Sequence, residues 1–228
     1  MQLKWYGHAS FKLTDSKGFC VITDPYTPEL AGYSNFAEEA DLVIASSFND
    51  EYHDRVDLIP GNPVKLNALD VVHAGGRKDV AGLEVQAMLT HEKWQHPDKD
   101  DPDVNAMYRF NLDGLEIGHM GDVGNPLDAE QEAFLEGLDI LLTLAGDVPT
   151  IRLPDLLPVL HRIRPRLVVP MHFRTLTYRP RDGLWIESFL AHFNDEQVDF
   201  AFSPECTLNL SDLPSAGEMR VLVLDYAR

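Results

Sequence analysis

The sequence predicts a layered domain of mixed α and β structure, α/β or α+β, in which many short strands are separated by a few helices. Three observations predict it. Short apolar runs bounded by turn residues recur along the chain, as at Leu42-Val43-Ile44-Ala45 and across 138–144, and these read as strands buried on both faces. Stretches of helical character occur between them, at 128–137, 154–163 and 184–193. No Pro-, Gly- or Ser-rich linker, internal repeat or low-complexity tract divides the 228 residues, so residues 1–228 are expected to form one domain.

Each element follows from its residues. Strands over 3–6 and 10–14 flank a turn at Gly7-His8, and Asp15-Ser16-Lys17-Gly18 has the composition of a hairpin turn. The strand over 19–23 stops at Asp24-Pro25, and 42–45 follows after a loop. Short β-like pieces occupy 64–90, including 70–72 and 83–87. The stretch 92–103, with five acids, two lysines and two prolines, predicts an exposed loop. Strands resume at 106–110 and 115–117. The helix over 154–163 has Pro154 in its first turn, where a missing N–H is harmless, and Pro165 beyond its end. A strand over 166–169 precedes the last helix, and β-like pieces at 200–202 and 221–224 close the chain.

Composition narrows the function. A chain of 228 residues can bury a core without staples. With 19 Lys plus Arg against 37 Asp plus Glu, the net charge is −18, which repels nucleic-acid phosphates and anionic membrane surfaces. The expected partner is therefore a small-molecule substrate or ligand, with no nucleic acid and no membrane; the oligomeric state is left open. No run approaches the ~18 apolar residues of a membrane span, and the start, MQLKWYGHASF, lacks a basic-then-apolar leader. Cys20 and Cys206 are too few for a disulfide framework and read as reduced thiols of a cytoplasmic protein. Nine histidines are the one excess that asks for an explanation.

The histidines and acids are not evenly spread. His8, Asp24, His91, Asp122 and His172 each stand just after an apolar run, where the chain leaves a strand. Imidazole with carboxylate is the donor mixture of Zn²⁺, Mn²⁺ and Fe²⁺ sites. Each residue alone also has a structural reading: His8 as a turn residue beside Gly7, Asp24 as a turn initiator before Pro25, His91 as the start of a polar loop, His172 as a half-buried core histidine. Their recurrence at strand ends favours a shared site.

The strings around them resemble one branch of the metallo-β-lactamase superfamily, the branch of lactonase-like metal-dependent hydrolases. Trp5-Tyr6-Gly7-His8-Ala9-Ser10-Phe11 resembles its W-x-G-H-A-S-F opening, and Ile22-Thr23-Asp24-Pro25-Tyr26 its I-D-P-[FY] turn. Ala40-Asp41-Leu42-Val43-Ile44 resembles the strand before its main metal motif. Gly118-His119-Met120-Gly121-Asp122-Val123-Gly124 resembles its H-x-G-D-T-G segment, and Val168-Val169-Pro170-Met171-His172-Phe173 its V-x-P-x-H-[FY] segment. The resemblance spans residues 3–175 and implies a four-layer αββα sandwich. It implies that Asp122 is the bridging aspartate, His172 the last metal histidine and His91 the histidine of the middle strand, with His8 and Asp24 near the site without necessarily binding metal.

The family's T-H-x-H-x-D-H motif is altered. The corresponding string is Ser46-Ser47-Phe48-Asn49-Asp50-Glu51-Tyr52, followed by His53. Ser47 and Asn49 replace the two histidines of the first metal, and neutral hydroxyl and amide oxygens are poor substitutes for imidazole on Zn²⁺. Glu51 replaces the aspartate, and Tyr52 stands in the last histidine's place unless a one-residue slip brings His53 there. The expectation is a reduced site with one divalent ion, zinc first and manganese, iron or nickel as alternatives, held by His91, Asp122 and His172 with Glu51, His53 or water completing the shell.

Two functions then compete. In the first, metal-bound water attacks a small carbonyl or phosphoryl substrate; Asp122 orients the water, and His8, Asp24 or His119 orient the ligands. In the second, the chain is a catalytically inactive relative that binds a small molecule or serves a structural role, with no metal. A nuclease is disfavoured by charge and a two-iron oxygen-reducing role by the incomplete ligand set. Arg162, Arg164, Arg166, Arg174, Arg179 and Arg181 read as surface charge balance, or as an anion-binding wall beside His172. His73, His96, His161 and His192 read as structural, and Trp5, Trp94 and Trp185 are too dispersed for a binding platform.

Overall fold

In the computed structural model, which describes residues 1–48, 50–93 and 103–227, two β-sheets pack face to face. The first sheet begins with β1 (Gln2–Gly7) and β2 (Ser10–Thr14), an antiparallel pair with Trp5 opposite Phe11. Next come β3 (Cys20–Thr23), antiparallel to β2, a crossover containing the single-turn α1 (Pro28–Ala31), and the parallel strands β4 (Leu42–Ala45) and β5 (Val64–Asn67). Helix α2 (Ala68–His73) leads to the second sheet, whose antiparallel half is β6 (Arg77–Val80), β7 (Leu83–His91), β8 (Val104–Leu112) and β9 (Leu115–His119). Helices α3 (Ala129–Phe134) and α4 (Leu153–Ile163) then alternate with the parallel strands β10 (Ile140–Leu144) and β11 (Leu167–Met171). After α5 (Ile186–Leu190) come β12 (Val198–Phe200), β13 (Glu205–Thr207) and β14 (Arg220–Val223). The strand orders are β13-β1-β2-β3-β4-β5 and β12-β14-β11-β10-β9-β8-β7-β6.

Strand periodicity builds the layers. In β3 and β4, Val21, Leu42 and Ile44 point into the core between the sheets, where they share one apolar cluster with Tyr108, Ile117 and Leu142 of the second sheet. Their neighbours Ile22 and Val43 point outward and pack with Tyr26, Tyr33 and Phe36 of the crossover, which forms the outer layer of the first sheet. On the second sheet, α4 buries Leu153, Leu156, Leu157 and Leu160, the one-sided spacing of an amphipathic helix. This is the αββα arrangement. Trp5 is almost wholly buried, with its ring 5.0 Å from that of Phe173, so the two sheets are tied together beside the strand ends that carry the polar residues.

The differences from expectation are local. The β-like piece at 70–72 lies in α2: the Asn67 side chain accepts from the amide of Leu69 and starts a helix that buries Ala68, Leu69 and Val71. The last helix is only Ile186–Leu190, and the strand expected at 200–202 is Val198–Phe200, with Phe202 exposed. β13 has no apolar run; it pairs with β1 through its backbone. Of the loop expected over 92–103, residues 94–102, with His96 and Trp94, lie outside the described residues, and Glu92 at its start is buried. Among the described residues, no helix is long and apolar enough to cross a membrane.

Candidate metal centre

The backbone at the strand ends is specialised. Gly7 has φ +121°, and a Cβ there would lie 2.6 Å from the Tyr33 ring, so the turn after β1 takes only glycine. His8 follows with φ 52°, Asp24 after β3 has φ 37°, and His172 after β11 has φ 53°. Non-glycine residues seldom adopt positive φ, and such residues cluster at functional sites. Backbone hydrogen bonds hold these turns. The carbonyl of His8 accepts from the amide of His172 (3.0 Å) and from the Trp5 indole (3.1 Å), and the amide of Asp24 donates to Ile44 (2.8 Å).

These turns converge. His8, His53 and His172 are all buried, and each offers one ligand atom within 4.8 Å of the others. The His8 and His172 ring centroids are 4.0 Å apart, and His53 lies parallel to His172 at 5.7 Å. Asp122 closes the group, with Oδ1 3.4 Å from His172 Nε2 and Oδ2 3.7 Å from His53 Nε2. Its amide donates to the Asn105 side chain at 2.9 Å. Behind His53 stands Asp24, fully buried, whose Oδ2 lies 3.0 Å from His53 Nδ1. Asp24 also accepts from Ser46 Oγ (2.6 Å) and from the Tyr108 hydroxyl (3.2 Å). The contact with Asp24 turns His53 Nε2 toward the centre.

The three imidazoles differ in charge. Burial, reinforced by His172 and His53, holds His8 well below its usual range. Burial likewise lowers His172, against the pull of Asp122. At His53 burial also opposes the charge, but Asp122, Asp24 and Asp50 outweigh it and push the group up to about 10. Burial thus favours the neutral form at His8 and His172, and the carboxylates around His53 favour its charged form when no ion is bound.

Both nitrogens of His8, Nε2 of His53 and Oδ1 of Asp122 are buried without a hydrogen-bond partner. Each such group carries a desolvation cost of about 1–3 kcal/mol. Three imidazoles and a carboxylate are the donor set of a zinc-type ion, and a divalent ion would satisfy one His8 nitrogen together with His53 Nε2 and Asp122 Oδ1. The residues therefore fit a metal.

The residues expected from sequence divide. The structure brings together His8, His53, Asp122 and His172, with Asp24 behind them. It does not bring in Glu51, whose exposed carboxylate accepts from Arg55 (2.7 Å) and Thr27. Nor does it bring in His91, which is exposed: its neighbour Thr90 takes the inward place on β7, held by the Asn105 side-chain amide at 2.7 Å, so the pleat turns His91 outward. Ser47 donates to the buried Glu92 at 2.7 Å, and Asn49 lies outside the described residues. His119 uses both ring nitrogens, one toward the Ala9 carbonyl (2.8 Å) and one accepting from the Gly121 amide (2.9 Å). The arginines do not form an anion-binding wall: Arg162 pairs with Glu132, Arg166 with Asp139, Arg174 covers the Trp185 ring and Arg179 reaches the Glu29 carbonyl.

A pocket of about 160 Å³ opens onto the centre. Its walls add Asp50, Tyr52, Tyr178 and Asp182, none of which sequence reasoning singled out as a site residue. Tyr178 stacks on His8 at 5.4 Å and Tyr52 meets it edge-on at 5.5 Å. Tyr178 and Asp182 follow the last motif, where no recurring string marks them.

Comparison with known proteins agrees with this arrangement. A family profile described as a beta-lactamase superfamily domain matches residues 2–172, a span that ends on His172. A UPF0173 protein of Pyrococcus abyssi is 29% identical over 188 residues, covering 77% of this chain and 84% of its own. A UPF0173 metal-dependent hydrolase of Thermus thermophilus is 25% identical over 216 residues, covering 87% and 94%. Among solved structures, a metallo-beta-lactamase superfamily protein of Thermotoga maritima superimposes with a TM-score of 0.72 at 22% identity, over 98% of this chain and 99% of its own. Igni18, a metallo hydrolase of Ignicoccus hospitalis, gives 0.67 at 21% identity, over 100% and 96%. The chain belongs to the metallo-β-lactamase superfamily.

Proposed function

We propose that this protein is a metal-dependent hydrolase with a single-ion centre, in which His8, His53, His172 and Asp122 hold the ion and the substrate is a small molecule with a carbonyl or phosphoryl centre. The observation that carries this reading is the convergence of three residues with buried, unpartnered ligand atoms, His8, His53 and Asp122, beside His172. The relatives described as metal-dependent hydrolases support it. A bound divalent ion would supply Lewis acidity and make a coordinated water more acidic. Asp24 fixes the His53 ring, Asp122 is placed to orient water by its carboxylate, and Tyr52 and Tyr178 narrow the pocket around His8. The acidic charge and the two free thiols, Cys20 and Cys206, support small-molecule work in the cytoplasm rather than on nucleic acid.

Metal analysis of untagged protein, paired with chelator-sensitive hydrolysis of a panel of small esters, lactones and phosphoesters, tests the proposal. About one zinc-type ion per chain, lost in His172→Ala together with any hydrolysis, is expected. Metal uptake that ignores His172→Ala would sink it.

One observation favours a second reading, a catalytically silent relative. A carboxylate already stands at each nitrogen of His53, Asp24 at 3.0 Å and Asp122 at 3.7 Å, pairings that need no ion. A protein that binds no metal and hydrolyses nothing in the panel supports this alternative.

A further inference from the structure

The pocket above the centre has a one-sided chemistry. Asp50, Asp122 and Asp182 line it, and among the described residues no lysine or arginine does. The turn that bears Pro180 and Asp182 also carries Arg179 and Arg181, yet only Pro180 and Asp182 of these face the pocket. The Arg179 guanidinium is engaged at the Glu29 carbonyl, and Arg174 lies over the Trp185 ring at 4.9 Å. Two tyrosine rings complete the wall, Tyr52 and Tyr178, both packed on His8.

Charge balance decides what such a pocket accepts. The two charges of a divalent ion are matched by Asp122 beside it and Asp24 behind His53. Asp182, exposed at the mouth, then keeps the entrance negative. A phosphate or carboxylate entering there meets like charge with no lysine or arginine in the lining to receive it, and like-charge juxtaposition is how a site rejects wrong partners. Carboxylate beside aromatic faces is instead the environment that recognises organic cations, through ion pairing and the negative faces of the rings. His8 belongs to the cluster and touches both rings, and all three line the same pocket, so the aromatic wall adjoins the centre.

We propose that the pocket selects a small substrate bearing an organic ammonium group, seated between Asp182 and the rings of Tyr52 and Tyr178, and discriminates against phosphorylated and carboxylated substrates. This rests on the reading of the centre as that of a metal-dependent hydrolase, and it narrows the substrate class.

Three matched thiols test it: 2-aminoethanethiol, 2-mercaptoethanol and mercaptoacetate, which share a metal-binding sulfur and differ in a cationic, neutral or anionic tail. Titrated by calorimetry into zinc-loaded protein, the cationic thiol is expected to bind at least tenfold more tightly than the anionic one. Asp182→Asn, an exposed position where folding is not at stake, is expected to cut that ratio at least threefold and to leave the neutral thiol within twofold. Equal or tighter binding of mercaptoacetate, or a ratio that Asp182→Asn does not move, overturns the assignment alone. A protein that takes up no zinc overturns both the assignment and the proposed function beneath it.

Discussion

The amide of His172 donates to the carbonyl of His8 at 3.0 Å, and this one hydrogen bond joins the end of β11 in the second sheet to the end of β1 in the first. Both residues have positive φ, so each imidazole is aimed by a turn that most side chains resist. The backbone therefore assembles part of the centre whether or not an ion is bound.

That separation of backbone from imidazole makes His8→Asn informative. Asparagine tolerates the left-handed conformation and keeps the carbonyl that His172 needs. The thermal midpoint of the metal-free variant is expected within about 4 °C of the parent. Its zinc affinity, measured by competition with a chromophoric chelator, is expected to fall by about 100-fold or more, because a ligand loss exceeds the 10- to 100-fold typical of supporting residues. Unchanged affinity removes His8 from the centre.

His91 and Glu51 make the opposite case. Family resemblance implies that His91 sits on metal and offers Glu51 as one way to complete the shell, whereas the structure turns His91 outward and gives Glu51 to Arg55. His91→Ala and Glu51→Gln are expected to leave zinc stoichiometry unchanged and affinity within about threefold, and to change stability by under about 0.5 kcal/mol, as exposed substitutions usually do. Loss of zinc in His91→Ala restores the ligand set implied by resemblance.

How far the sequence carries is visible in these same residues. The apolar runs at 42–45 and 138–144 are strands because only a core on both faces accepts Leu42-Val43-Ile44-Ala45, or Ile140-Leu141-Leu142 followed by Leu144. The strand-end positions of His8, Asp24, Asp122 and His172 were legible for the same reason, since a strand's end is written in where its apolar run stops. Which of them meet was not. His91 also follows an apolar run, but its direction depends on the pleat at Thr90, set by a hydrogen bond to Asn105 from another strand. His53 stood out only as a one-residue slip in an altered motif, and its role depends on Asp24, which lies 29 residues away in sequence. Tyr178 and Asp182 reach the pocket on a turn that only the folded chain brings back.

Away from the centre, Glu38 supplies an acid-dependent contribution. Burial alone raises its carboxyl, but hydrogen bonds from Lys12 and Lys4 more than reverse this and hold it at about 2, below its ordinary 4.5. A depressed carboxylate stabilises the fold above its unfolded value and loses that contribution as pH falls through the folded one. The stability gap between parent and Glu38→Gln is expected to be constant above pH 4.5, to shrink between 4.5 and 2, and to vanish below. With Glu38 over a third exposed, the full gap is expected to stay under about 1 kcal/mol. Urea denaturation at a series of pH values measures it, and a gap that persists at pH 2 contradicts the assignment.

Asp24 links fold and site most directly. Its carboxylate accepts from Ser46, Tyr108 and His53 while fully buried, so it is both a core acceptor and the group that aims His53 Nε2 at the centre. In Asp24→Asn one oxygen becomes an amide N–H₂ that faces donors, which leaves at least one of them without an acceptor. A stability loss of about 1–3 kcal/mol is expected. Zinc affinity is expected to fall by about 10- to 100-fold, the usual effect of removing the partner that orients a histidine ligand. The two readouts separate the roles. If denaturation shows the stability loss and chelator competition shows unaltered zinc affinity, Asp24 supports the core alone and His53 is aimed by other contacts. If both fall together, the same carboxylate that completes the core also sets the geometry of the ion's seat.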